Sequence, residues 1–123
     1  MKLWLTIGAL SGLLAVALGA FGAHGLANKV PQEQLNAFEI GARYHMYHAL
    51  ALLAVAWLAS REPSSLVSMA GWAFLAGIVL FSGSLYVLGL TGSRALVLVT
   101  PIGGVSFMVG WICLLVAGLR VPT

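Results

Sequence analysis

Four long apolar segments separated by short polar breaks make up most of this chain and leave few folds open to it. They run over residues 3–23, 44–60, 66–90 and 95–119. A helix needs about 20 apolar residues to cross roughly 30 Å of hydrocarbon. Hydrocarbon also offers backbone N–H and C=O groups no partner, so a spanning segment must satisfy them within itself or in a closed barrel. The predicted fold class is therefore all-α, an integral membrane four-helix bundle. Charge supports this reading. Only 7% of the 123 residues are charged, too few to keep a chain that is 61% hydrophobic soluble, where soluble domains carry about 25%. The lipid bilayer is its expected surrounding and first partner.

The breaks set the helix ends. Residues 26–42 are more polar, with Lys29, Gln32, Glu33, Gln34, Asn36 and Glu39. Pro31 suits a helix start, with Asn28 or a neighbour as cap. A helix from Gln32 to Ser60 is about 43 Å long at 1.5 Å per residue, more than the hydrocarbon needs. The second helix is thus expected to carry an amphipathic N-terminal extension that leaves the membrane or lies at its surface. Arg61 to Ser65 form the second break and Thr91 to Arg94 the third. Pro101 lies six residues inside the last span, where it either kinks the helix or begins it, with Thr100 as cap. The apolar start resembles a signal peptide, but apolar, glycine-rich sequence continues to Leu26, which favours a retained first span.

Small residues recur at steps of three and four: Gly8, Gly12, Ala15, Gly19 and Gly22; Ala70, Ala73, Gly77 and Ser84; Gly103, Ser106, Gly110, Cys113 and Ala117. Such stripes let helix backbones approach closely in lipid. Four spans put both chain ends on one side. That side holds Lys2, Arg61 and Arg120, and the other holds Lys29, Arg43 and Arg94. The tally is even; discounting Arg43, which adjoins the embedded segment, tilts both termini to the cytoplasm. No basic stripe for nucleic acid exists.

Polar groups at membrane depth are costly and usually face a bundle interior or a site. Hairpin topology gathers His24, Tyr44, His48, Tyr86 and Thr100 in one leaflet, with Ser82 and Ser84 deeper. The other leaflet, including the stretch at Trp111, reads as apolar. This asymmetry predicts a one-sided polar pocket centred on His24, Tyr44 and His48, or hydrogen bonds that pin helix 1 to helix 2. Glu39 and Arg43, an i,i+4 pair of favourable order, are expected to form an interfacial ion pair. A metal, if bound, would use His24, His45 and His48, and a haem would need His24 with His45 or His48, but the pattern favours no cofactor. Ser82 and Ser84 have no carboxylate-backed histidine, so no catalytic residues are assigned.

Several motifs occur in order: residues 17–24 with Gly19, Gly22 and His24; Tyr44 and His48 with Ala49 and Leu50; Phe81 to Tyr86; and Thr100 to Phe107 with Gly110 and Trp111. Together they resemble the YgdD-like family of small bacterial inner-membrane proteins, a group of unknown function with mitochondrial relatives. The resemblance implies four transmembrane helices and an inner-membrane location, and it implies no catalytic residues. The expected role is a non-catalytic binding or accessory component in a homo-oligomer or larger membrane complex. Two alternatives stay open: a redox subunit using metal, haem or quinone, and a small transporter.

Overall fold

The computed structural model describes residues 1–122. The described residues form four helices: α1 (Lys2–Leu26), α2 (Gln32–Arg61), α3 (Ser65–Thr91) and α4 (Val99–Leu119). Among the described residues there is no strand. α1, α3 and α4 are long and apolar enough to cross a membrane. α2, at 30 residues, is about 45 Å long at 1.5 Å per residue. Its apolar run is interrupted by Tyr44, His45, Tyr47 and His48.

The helices pack side by side, each against the next, and α2 also touches α4. α1 and α2 run antiparallel, so Gly8 lies against Leu52 and Leu53 while Gly22 lies against Phe38. At one end Gln34 Nε2 donates to the Gly89 carbonyl at 3.1 Å, which holds the start of α2 to the end of α3. At the other end Trp4 packs on Gly71 and edge-on to Trp72, which holds the start of α1 to the start of α3.

Burying apolar surface does not drive helices together in lipid, so association rests on close packing and interhelical hydrogen bonds. Here the close packing is aromatic rings seated on facing glycines. The Phe74 ring covers Gly110 and the Phe107 ring covers Gly77, a reciprocal pair that joins α3 to α4. At Gly103 the approach is tighter: a Cβ would sit 2.3 Å from the Phe81 backbone nitrogen. The core around these contacts includes Leu52, Val55, Val67, Phe74 and Phe107, all buried.

Two helices widen locally into a π-turn, at Gly22–Leu26 in α1 and Ile78–Ser82 in α3. Neither was expected, because a five-residue change of pitch leaves no mark on a small-residue stripe. The fourth helix also departs from expectation. It begins at Val99 behind Leu98, two residues before Pro101. Pro101 falls in the first helical turn, where a missing N–H breaks no helical hydrogen bond. Residues 95–98 form turns, with Val97 N–H donating to Arg94 O and Val99 N–H to Leu96 O. Asn28 does not cap α2. It takes a left-handed backbone conformation (φ 69°) in the connection, and Pro31 stands at the cap position.

Candidate functional site

The expected polar cluster divides into three interhelical links rather than one pocket. In the first, Trp111 Nε1 donates to His48 Nε2 at 3.0 Å, joining α4 to α2. His48 Nδ1 lies 2.7 Å from the Tyr44 carbonyl. An indole N–H only donates and a carbonyl only accepts, so these partners select the neutral imidazole with its proton on Nδ1. The same ring stacks on Phe107 at 3.5 Å between centroids and 5° between planes. Phe74 flanks it at 5.6 Å.

The second link pairs His45 Nδ1 with the Tyr86 hydroxyl at 2.8 Å, joining α2 to α3. The third joins α3 to α4: Ser84 Oγ donates to Phe81 O at 2.8 Å and bonds Thr100 Oγ1. Since the Ser84 proton is used on Phe81, Thr100 is the donor to Ser84. Ser106 Oγ adds a bond to Ala73 O at 2.7 Å between the same two helices. Ser82 is fully buried in the π-turn, and its hydroxyl has no partner among the described residues.

His24 lies outside this network. Gly22 and Leu26 face α2, and Phe38 packs on Gly22. A residue two positions beyond Gly22 points roughly the opposite way around a helix, so His24 is exposed. The structure therefore does not bring His24, His45 and His48 together, and both His48 nitrogens are already engaged. Among the described residues no three metal-ligating side chains converge. Glu39 and Arg43 do not form the expected ion pair. The pair among the described residues is Glu33 with Arg94 at 3.7 Å, both exposed, between the start of α2 and the connection before α4.

What opens beside His48 is a groove of about 530 Å³ between α2 and α4, lined by Tyr44, Tyr47, Phe81, Gly104, Phe107, Met108 and Trp111. Its walls are mostly aromatic. Tyr44 and Tyr47 bring phenol side chains to it, and neither hydroxyl has a hydrogen-bond partner among the described residues. Of the expected site residues only Tyr44 and His48 line it; Tyr86, Thr100, Ser82 and Ser84 do not. Trp111 lies in a stretch that reads as apolar, and His45 is absent from the pocket centre expected from the sequence, so neither partner is evident from the residues alone. One signal was available for Trp111: an indole N–H inside a membrane helix needs an acceptor.

Comparison with known proteins agrees with the apolar helices. A family model described as "Protein of unknown function (DUF423)" matches residues 18–104. The chain is 50% identical over 121 residues to the UPF0382 membrane protein YwdK of Bacillus subtilis, covering 98% of both chains. It is 50% identical over 120 residues to a UPF0382 membrane protein of Staphylococcus aureus, again covering 98% of each. A UPF0382 membrane protein of Haemophilus influenzae is 48% identical over 112 residues, covering 90% of this chain and 89% of its own. No solved structure matches the chain. The chain thus belongs to the DUF423 family, whose function is unknown, and its relatives carry the name of membrane proteins.

Proposed function

We propose that this chain crosses the bilayer four times and serves there as a non-catalytic binding or accessory component, with the α2–α4 groove as its binding surface. One observation carries the reading: a groove of about 530 Å³ beside a histidine whose two nitrogens are both satisfied by the protein. Ligand sites typically fall between about 300 and 1,000 Å³ and combine apolar walls with a few placed polar groups. An imidazole held between a donor and an acceptor has no free nitrogen for moving a substrate's proton. It makes a wall rather than a general base. The occupant that fits is a membrane amphiphile. Its apolar body would lie against Phe81, Phe107 and Trp111, and its polar head would reach the Tyr44 and Tyr47 hydroxyls.

The rest of the proposal follows the four-span reading. The start of α2 is an amphipathic extension at the surface, with Leu35, Phe38 and Ala42 buried while Gln32, Glu33 and Asn36 are exposed. The location is a bacterial inner membrane, in keeping with the YgdD-like resemblance and the relatives' bacterial sources. Exposed apolar side chains on α1 and α4, such as Leu13 and Leu115, suit contact with lipid or with further copies.

Gly104 offers the test. A Cβ there meets only Phe81 Cδ2, at 3.9 Å, so a larger side chain enters the groove without striking backbone. Protein released gently from membranes and weighed intact should retain a bound amphiphile, and Gly104→Leu should remove it while the protein stays folded. Equal retention by the filled variant would overturn the assignment.

A further inference from the structure

A second slot, with none of the first groove's lining residues, opens between α1 and α3 beside His45 of α2. It has a volume of about 210 Å³, with Leu10, Ser11, Leu14, His45, Ile78 and Val79 in its wall. We infer that it binds the uncharged carbonyl head of a membrane-soluble molecule, through the Ser11 hydroxyl and the His45 imidazole.

Ser11 is the first observation. It is only 6% exposed, and its Oγ has no hydrogen-bond partner among the described residues. A helical serine ordinarily returns its proton to the carbonyl four residues back, yet the Ile7 carbonyl does not receive it here. A buried hydroxyl left unpaired is costly, and lipid offers it no alternative. An acceptor arriving in the slot would supply what the protein withholds.

His45 is the second. Its Nδ1 is engaged with the Tyr86 hydroxyl at 2.8 Å, while Nε2 has no protein partner among the described residues. When the Tyr86 O–H donates to Nδ1, the imidazole proton resides on Nε2 and becomes a second donor. Tyr86 is then a positioning residue that sets the tautomer. A carbonyl oxygen has two lone pairs, one for each donor.

Charge defines the class. No Lys, Arg, Asp or Glu lines the slot, so a carboxylate or phosphate would enter it without a counter-ion and keep its desolvation cost. A neutral carbonyl carries no such penalty. Leu10, Leu14 and Val79 at the rim are exposed, so the opening faces laterally, where a ligand's apolar body can remain in the bilayer.

The test uses the whole protein in phosphatidylcholine nanodiscs and two photoreactive ten-carbon probes with the same diazirine. One is a methyl ketone; the other is a permanently anionic sulfonate. After irradiation, mass spectrometry maps the labelled residues. The ketone should label Leu10, Leu14 and Val79 above the level at Leu115, a lipid-facing position on α4, and the sulfonate should not. Ser11→Ala breaks no hydrogen bond within the protein, so it should fold normally while lowering slot labelling by the ketone roughly five- to tenfold, the loss expected for one hydrogen bond. Val79→Trp, a change at an exposed rim position, should lower it as well. Equal slot labelling by the two probes, or undiminished labelling in Ser11→Ala, would overturn the inference.

Discussion

His48 shows how a polar residue is accommodated inside an apolar helical bundle: each ring nitrogen has one partner of the right kind, Trp111 on one side and the Tyr44 carbonyl on the other. Removing the indole N–H leaves His48 Nε2 buried without a donor, and removing the imidazole leaves the indole unpaired. An orphaned buried group costs about 1–3 kcal/mol. Interhelical hydrogen bonds in membrane proteins average nearer 0.6 kcal/mol, because the unfolded chain in lipid also finds partners. A double-mutant cycle of His48→Leu and Trp111→Phe, read from reversible unfolding in detergent, is therefore expected to give a coupling of about 1 kcal/mol. A coupling indistinguishable from zero would mean that the two residues merely lie near each other.

At the scale of elements, the contrast between Pro101 and Gly103 separates backbone chemistry from packing. Pro101 occupies the first turn of α4, where its absent N–H breaks no helical bond. Pro101→Ala should change stability by less than about 0.5 kcal/mol, whereas a proline kinking the middle of a helix would report a much larger effect. Two residues later, a Cβ on Gly103 would stand 2.3 Å from the Phe81 backbone nitrogen. Backbone cannot rotate aside as a side chain can, so α3 and α4 must separate. Gly103→Ala should cost about 1–3 kcal/mol or more through overpacking. Thermal unfolding of the two purified variants beside the parent protein measures both, and a Gly103→Ala variant as stable as Pro101→Ala would contradict the packing described.

For the molecule as a whole, the arrangement of charge bears on orientation. Lys2, Arg61 and Arg120 mark one end; Lys29, Arg43 and Arg94 mark the other. Arg94 lies 3.7 Å from Glu33, and Arg43 adjoins the turns of α2 expected to be embedded, so the first end carries the clearer positive signal. Both chain termini are accordingly expected in the cytoplasm, with the 27–31 and 92–98 connections outside. In a Cys113→Ala background, an impermeant thiol reagent added to intact cells should label Lys29→Cys and spare Arg61→Cys. The reverse pattern would invert the assignment.

The all-helical character and the polar breaks between helices were legible in the residues themselves, because hydrocarbon length and backbone satisfaction are properties of a segment taken alone. The sharing of one end by the start of α2 and the end of α3 was legible too, since short connections leave antiparallel neighbours little choice. The partners of the polar side chains were not. His24 left the expected cluster and His45 joined the interhelical links, because the Phe38 contact turns Gly22 and Leu26 toward α2 while Tyr86 meets His45 from α3. Trp111 looked apolar until α4 set its N–H against His48. Periodicity reports which residues share a face of one helix. Which face meets which neighbour, and at what depth, depends on rings seating on glycines across helices and on two π-turns. Those are contacts between distant parts of the chain, and only packing decides them.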